Sequence, residues 1–363
     1  MSKKALYSKY RPFQLSDVIG QQHVTKTLKQ ASIDDKFVHS YMFGGVKGTG
    51  KTSTARIIAN LLNCEDVKDG VLCGECKACK TIPLGVASDV IELDGAKNRK
   101  VEDINALIEG AQWSPSVLKK KVMIIDEAHQ LTGTAISALL KIVEEPPSYL
   151  TFIFCTTEVD KIPNTILSRS QLFNFKKINF KDIAKRLTYI AEQEKIDISE
   201  DAVFDIAKLG RGSMRDAIGF LQQIDTIASG KRIEAKSVQK YFGITDRKVA
   251  LDIVTNMINK NVSTVIDRVN DLVVSCADTK GILYEISEIL RNIMILKVQK
   301  GDPKWIDLPE YEIQQLIKMG KDLSFDQLNS LSQEFSSVKK ELEYSINERW
   351  VMESTLIRCM ATL

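Results

Sequence analysis

Between residues 41 and 175 the chain alternates short, almost uniformly apolar runs with stretches of helical period. The runs are YMFGG at 41–45, VIELD at 90–94, KVMIID at 121–126, TFIFCT at 151–156 and LFNF at 172–175. Strands buried on both faces carry this composition, and their alternation with helices predicts a parallel five-stranded sheet covered by helices. Helices fit at about 22–33, 51–62, 102–111 and 133–144, the last stopped by Pro146-Pro147. After residue 178 the strand runs cease and amphipathic helices follow one another, broken at Gly210-Arg211-Gly212 and near Phe242-Gly243-Ile244. The pattern divides the chain into an α/β domain at 1–178, a small helical domain at 179–243 and a second helical domain at 244–363. The last carries LDIVTNMI, VIDRVNDLVV, ILYEISEILRNIMIL and LNSLSQEF, and no internal repeat, low-complexity tract or long linker interrupts the series.

Composition changes this picture little: 363 residues, 44% apolar and 27% charged, describe an ordinary globular chain. A net charge of +3, from 50 basic and 47 acidic residues, leaves nucleic-acid contact to local patches. The start MSKKALYSKYRP lacks an apolar core of signal-peptide length, and no stretch approaches the ~18 apolar residues of a membrane span. A cytoplasmic protein without a membrane partner is expected, and its seven cysteines are read as metal ligands or small apolar residues.

The densest chemistry is the octapeptide GVKGTGKT, Gly45 to Thr52, directly after the first apolar run. It fits G-x-x-x-x-G-K-[ST], in which glycines let backbone N–H groups turn toward a β-phosphate and the following helix aims its positive end at the same anion. Gly45, Gly48, Thr49, Gly50, Lys51, Thr52 and Ser53 are the nucleotide-binding residues of this cradle. Lys51 reaches the β and γ oxygens and Thr52 places its hydroxyl on Mg²⁺. A glycine-rich turn without a ligand would need neither the lysine nor the threonine.

A cradle of this kind requires a metal ligand and a water activator, and the run 121–125 ends in Asp126-Glu127-Ala128-His129. Asp126 falls near the Mg²⁺ shell and Glu127 polarises the attacking water. One strand on, Thr156 and Thr157 stand at the carboxyl end of the sheet, where one of them, carried here as Thr157, senses the γ-phosphate; the competing reading is a threonine pair that caps the sheet edge. Arg169, in Ser168-Arg169-Ser170, and Arg215, in Met214-Arg215-Asp216, are each either surface arginines or the charged fork that a transferring phosphoryl group needs.

Cys64, Cys73, Cys76 and Cys79 form C-x8-C-x2-C-x2-C between the helix after the cradle and the next strand. Four thiolates within sixteen residues match a closed, structural, tetrahedral zinc site. Gly70, Gly74, Lys77 and Lys80 make the segment too polar to bury unpaired thiols, whereas Cys155, Cys276 and Cys359 lie in apolar runs and pack. His23, His39 and His129 are too scattered for a metal triad and are structural or peripheral contacts. Lys97, Arg99, Lys100 and the run Lys119 to Lys121 are either DNA-phosphate contacts or a solvated face, and Trp113, Trp305 and Trp350 show no aromatic-basic interleaving.

Tyr10-Arg11-Pro12, Val18-Ile19-Gly20-Gln21, His39-Ser40-Tyr41, the cradle, the four-cysteine insert, VEDINAL, IIDEAHQLT, ALLKIVEEPP, ILSRS and GSMRDA occur in this order over nearly the whole chain. Together they resemble the gamma/tau family of the bacterial DNA polymerase III clamp loader, AAA+ ATPases of the α/β P-loop NTPase class with a zinc insert, a helical lid and an all-helical collar. The resemblance implies that Tyr10, Arg11, Val18 and Ile19 contact the adenine side of ATP, that Arg169 reaches the ATP of a neighbouring subunit, and that Arg215 acts on the chain's own ATP. It further implies a pentameric ring with delta and delta-prime subunits and further copies of this chain, a sliding clamp and primed DNA as partners, and a place in the nucleoid-associated replisome. The family spells the finger motif Ser-Arg-Cys where this chain has Ser168-Arg169-Ser170, a change that keeps the arginine and the side-chain size. The sequence stops at Leu363 without the extension of the tau form, as a short gamma-like product or a chain cut there would. Competing readings are a delta-prime-like subunit without a working cradle, another AAA+ motor, or a zinc-bearing structural or DNA-binding module.

Overall fold

The computed structural model describes residues 5–97, 101–243, 247–274, 279–306, 308, 310–321, 323–344 and 347–363. Arg99, Lys100, Ile244 and Cys276 lie outside the described residues, as do the side chains of Val101, Glu102 and Asp103 in VEDINAL. The chain folds as two compact units, Met1–Ala235 and Lys236–Leu363.

The first unit is built on five parallel strands, β1 (Ser40–Gly45), β4 (Val90–Asp94), β5 (Lys121–Asp126), β6 (Leu150–Thr156) and β7 (Gln171–Phe175), in the order β4-β5-β6-β1-β7. The predicted runs are therefore strands, and their uniform apolarity has a physical cause in the two covered faces. Alternate side chains of a strand point to opposite faces. Tyr41 and Phe43 of β1, Val122 and Ile124 of β5, and Ile153 and Cys155 of β6 join one core. Met42, Met123, Ile125, Phe152 and Phe154 join the other. Helices α2 (Gln22–Ile33) and α3 (Lys51–Asn63) cover the first face through Val24, Leu28, Ile57, Ile58 and Leu61. Helices α5 (Val101–Gln112) and α6 (Gly133–Glu144) cover the second through Ile104, Leu107, Leu139 and Val143.

Five short elements were not expected from the periodicity. Residues Leu6–Lys9 form a single helical turn, α1, and Asn164–Leu167 another, α7. Within the cysteine insert, β2 (Val67–Lys68) and β3 (Val71–Leu72) pair as a hairpin, followed by α4 (Lys77–Thr81). Asp69 and Gly70 at its turn have φ of 51° and 72°, the left-handed pair that a two-residue hairpin loop demands.

Past the sheet, α8 (Phe180–Glu194), α9 (Glu200–Leu209) and α10 (Met214–Ala228) complete the unit. Side-chain oxygens of Asn179, Ser199 and Ser213 cap their N-termini by accepting from Lys181, Ala202 and Asp216 N–H groups. The buried side chain of Gln21 acts as a surrogate strand, exchanging two hydrogen bonds of 2.7 and 3.0 Å with the backbone of Lys176 just beyond β7.

In the second unit, α11 (Ala235–Phe242) is followed by α12 (Arg247–Ile258), α13 (Val262–Val274), α14 (Thr279–Val298), α15 (Glu310–Gly320), α16 (Phe325–Tyr344) and α17 (Glu348–Thr362), with no strand among the described residues. One core runs through it, centred on Ile253, Ile286, Ile289, Leu328, Met352 and Cys359. Arg247 crosses between helices to Glu285 at 2.8 Å and Glu312 at 2.9 Å.

Asp89, just before β4, is 2% exposed and accepts from the N–H groups of Ser116, Val117 and Leu118 at 2.7–2.8 Å. Burial pushes its carboxyl pKa up, but these donors more than offset that and hold it below the ordinary value. A depressed folded pKa adds stability that is fully present above the unfolded value of about 3.9 and is lost as the pH falls through the folded value. Asp89→Ala should therefore lower the melting temperature of this unit by about 6–10 °C at pH 7, the equivalent of ~2–3 kcal/mol. Thermal unfolding at pH 7 and pH 3 checks this, because the gap to the wild-type chain must narrow at the lower pH.

Candidate functional site

The carboxyl ends of β1, β5 and β6 meet on one edge of the sheet, and the loop that leaves β1 turns there into α3. Gly45 has φ of 140°, and a Cβ on it would stand 2.2 Å from the Phe175 carbonyl oxygen. Gly48 has φ of 77°, and a Cβ there would stand 1.9 Å from Ser213 Oγ. Only glycine lets β7 and the head of α10 approach the loop this closely. Lys51 opens α3, buried to 6% exposure, and its Nζ donates to the carbonyls of Gly45 at 2.6 Å and Val46 at 3.0 Å. Burial lowers the Lys51 pKa, with nearby Cys155, Glu127 and Asp126 acting the other way.

The loop stands beside the end of β5. Thr52 Oγ1 donates to Asp126 Oδ2 at 2.8 Å, so a hydroxyl and a carboxylate oxygen already share one point, the donor set expected of a hydrated magnesium site. Glu127 has φ of 50°, a left-handed conformation uncommon outside glycine that turns the chain sharply at the strand end. Gly95 makes room for it, since a Cβ at Gly95 would meet the Glu127 carbonyl oxygen at 2.7 Å. Thr157, beyond β6, donates from Oγ1 to Glu127 Oε2 at 3.4 Å.

These groups line one cavity. Its floor is Gly48, Thr49, Gly50, Lys51, Thr52 and Ser53, with Asp126 and Glu127 at one side. Tyr10, Arg11, Val18 and Ile19 form a second wall, and Arg215 reaches in from α10. Gly45 and Thr157 stand just behind the lining, each bonded to a residue that belongs to it. The head of α10 is tied to the loop, because Met214 N donates to the Gly48 carbonyl at 3.0 Å. Burial lowers the Arg11 pKa, and nearby Arg56 and Arg215 act in the same direction. Sequence reasoning missed Tyr7, Asp17, Ile178, Arg186, Met214 and Ile218, which complete the walls. Arg215 stacks over Tyr7, and Tyr10 donates its hydroxyl to Glu194 of α8. Burial first, and Glu194 second, push the Tyr10 hydroxyl up to about 12.

Arg169 does not line this cavity. Its guanidinium lies across Glu144 at 2.7 Å and donates to the Thr165 carbonyl at 2.9 Å, with 38% of the side chain exposed. The Lys119 to Lys121 run is used within the fold, each ammonium donating to a backbone carbonyl: Cys64, Ser148, and the pair Gly110 and Trp113. Lys121 is thereby taken up inside the fold at 6% exposure, whereas Lys119 stays on the surface.

The four cysteines converge, with sulfur separations of 3.5 Å (Cys64–Cys73), 3.7 Å (Cys64–Cys79) and 3.9 Å (Cys73–Cys79 and Cys64–Cys76). Four ligands about 2.3 Å from a tetrahedral centre lie about 3.8 Å apart, so the set fits a thiolate-bound metal. Backbone N–H groups of Cys76 and Glu75 pull the Cys73 thiol down to about 6, toward the ligating thiolate.

Residues 20–179 match the family model described as DNA polymerase III, delta subunit; 182–232 match the DNA polymerase III clamp loader subunit, ATPase lid domain; and 233–363 match DNA polymerase III subunits gamma and tau domain III. The tau subunit of DNA polymerase III from Bacillus subtilis is 38% identical over 301 residues, 83% of this chain and 53% of that protein. The gamma subunit from Buchnera aphidicola subsp. Baizongia pistaciae is 32% identical over 362 residues, 99% of this chain and 97% of that protein. The chain spans about half the length of the tau relatives and nearly all of that gamma relative. Among solved structures, the Thermotoga maritima RuvB Holliday junction branch migration motor shares the fold, with a TM-score of 0.50 and 19% identity over 74% of this chain and 86% of that one.

The contact of Gly48 with Ser213 makes a direct test of the loop geometry. Gly48→Ala should lower the melting temperature of the first unit by about 5 °C, from ~1–2 kcal/mol of left-handed strain and collision. Adding Ser213→Gly should restore part of the loss, since the colliding oxygen is gone. Strictly additive shifts in thermal unfolding would show that the two residues do not touch.

Proposed function

The chain belongs to the family of the DNA polymerase III gamma and tau subunits, and we propose that it is the ATP-driven motor subunit of a clamp loader. It binds and hydrolyses ATP to open a sliding clamp and load it on primed DNA. The observation that carries this reading is the 2.8 Å bond between Thr52 and Asp126, made inside a cavity that also holds Lys51, Glu127 and Arg215. A delta-prime-like subunit has no need to keep all five groups together.

In this reading the loop N–H groups and Lys51 receive the β and γ oxygens of ATP, while Tyr10, Arg11, Val18 and Ile19 hold its adenine side. Thr52 and Asp126 would hold Mg²⁺, which would supply neutralisation of phosphate charge. Glu127 accepts a hydrogen bond from the attacking water and orients it, and Thr157 senses the γ-phosphate. Arg215 pairs with the phosphates of its own chain, and Arg169, placed outside the cavity, serves that of an adjoining copy. Cys64, Cys73, Cys76 and Cys79 would hold Zn²⁺, which would supply a structural cross-link.

The domain division that goes with this function is an AAA+ ATPase domain at 1–178 with the zinc module at 64–79, a lid at 179–243 and a collar at 244–363. The collar assembles a pentameric ring with delta, delta-prime and further copies of this chain, within the cytoplasmic, nucleoid-associated replisome. No helix among the described residues is long and apolar enough to cross a membrane.

The test is ATPase activity with and without the clamp, primed DNA and companion subunits; stimulation only by the complete mixture is expected, and an unresponsive rate would remove the loader from consideration. In that mixture Glu127→Gln should bind ATP with near-normal affinity while turnover drops at least about a hundredfold, since the water activator alone is lost. Arg169→Ala should leave nucleotide binding within about twofold and reduce turnover of the assembled ring by about a thousandfold. Equal turnover in Arg169→Ala and wild-type rings contradicts the role in trans.

A further inference from the structure

His129 stands behind Glu127 in a tight helical turn, Ala128–Gln130, with 7% of its side chain exposed. No role assigned above uses this imidazole. Its two nitrogens meet different partners: Nδ1 lies 3.0 Å from Thr156 Oγ1 and 3.6 Å from Glu127 Oε2, and Nε2 lies 3.2 Å from Glu158 Oε1. The Glu158 carboxylate can only accept, so Nε2 carries the proton and, in the neutral imidazole, Nδ1 accepts from the Thr156 hydroxyl, whose oxygen in turn accepts from the Glu158 N–H at 3.0 Å. This tautomer is assigned from the network. It closes a ring of hydrogen bonds through Thr156, the imidazole and Glu158, and Lys161 holds the other Glu158 oxygen at 2.8 Å.

That ring fixes the chain from Thr156 to Glu158, and Thr157 lies in its middle. The Thr157 hydroxyl donates to Glu127 Oε2, the same oxygen that faces the imidazole edge. One carboxylate oxygen of Glu127 is thus engaged by the Thr157 hydroxyl, since Nδ1 in this tautomer has no proton to give it, and that contact does not involve Oε1. A glutamate side chain left to itself samples several rotamers, and a reacting group displaced by about 1 Å loses about a hundredfold in rate.

We propose that His129 is a positioning residue for Glu127. By locking the 156–158 turn it keeps the Thr157 hydroxyl on Oε2, so that Oε1 is the oxygen presented to the water. The proposal rests on the reading of Glu127 as the water activator. It involves no proton transfer to or from the imidazole during turnover.

The test compares His129→Phe, His129→Gln, Thr157→Val and the double variant His129→Phe/Thr157→Val in the full chain, assembled with its companion subunits, clamp and primed DNA. His129→Phe keeps the bulk and loses both ring nitrogens; kcat should drop about tenfold to a hundredfold while the dissociation constant for ATP stays within about twofold. His129→Gln restores an N–H donor and an acceptor and should recover most of the rate. The double variant should be no slower than the slower single variant, since both act through the same carboxylate oxygen. Wild-type kcat in His129→Phe, losses that multiply in the double variant, or a rate loss matched by weaker ATP binding and not rescued by glutamine would each overturn the proposal. Should His129→Phe fail to fold, Glu158→Ala decides, because it opens the same ring of hydrogen bonds from the other side of the imidazole: it must lower kcat while the dissociation constant for ATP stays within about twofold, and an unchanged kcat overturns the proposal. A Glu127→Gln ring that still hydrolyses ATP would instead overturn the assignment of Glu127, whereas an inert Glu127→Gln ring beside an unimpaired His129→Phe ring overturns only the role of His129.

Discussion

A buried ammonium group sets the shape of the nucleotide loop. An enclosed charge without partners costs far more than a short loop can recover by folding. The carbonyls of Gly45 and Val46 meet Lys51 Nζ, so the loop closes only in the form that turns both carbonyls inward. Two further elements then stand where side chains would otherwise be: the Phe175 carbonyl against Gly45, and Ser213 against Gly48. The last strand of the sheet and the first turn of α10 therefore share one geometry with the loop.

The charges around the cavity extend the same constraint. Lys51 and Arg11 both have lowered pKa values, chiefly from burial, and Arg215 adds to the effect at Arg11. Cations crowded into a poorly solvated wall repel one another, and a ligand with several negative charges relieves that repulsion. Arg215 belongs to a helix whose first N–H is bonded to the Gly48 carbonyl, so relief at the cavity is felt at the head of α10. On the proposed function this is how triphosphate binding couples to the lid: the ligand favours the arrangement in which Arg215 and Lys51 face one anion.

The parts of this architecture that were legible in the sequence are those with a local spelling. Tyr41 to Gly45 and Lys121 to Asp126 read as strands because both faces of the sheet are covered, which leaves no polar alternation to confuse the period. The loop reads from its own glycines and lysine, and the four cysteines from their spacing. Tyr7, Asp17, Arg186 and Ile218 did not read, because they meet only after the chain has returned from the sheet, with roughly two hundred residues between Tyr7 and Ile218. The burial of Lys121 did not read for a related reason: a charge run looks solvated until the carbonyls that claim one of its members are placed. The hairpin in the cysteine insert did leave a signal, Asp69-Gly70 between two short β-prone pairs, but strands of two residues fall below what periodicity can detect.

That hairpin also explains why the cysteine module sits where it does. Two-residue strands are not stable alone in water, so β2 and β3 depend on what holds their ends. On one side are the converged sulfurs of Cys64, Cys73, Cys76 and Cys79. On the other is Gln14, whose side-chain amide donates to the Leu72 carbonyl at 3.1 Å and accepts from the Leu72 N–H at 3.0 Å, as a third strand would. Gln14 lies between Pro12 and Asp17, both on the cavity wall, and Asp17 Oδ2 accepts from the N–H groups of Phe13 and Gln14. The module is therefore bonded, through Leu72 and Gln14, to a segment that lines the cavity. On the proposed function a metal on the four sulfurs would stiffen the hairpin, and through Leu72 and Gln14 the wall segment bonded to it, without itself entering the cavity.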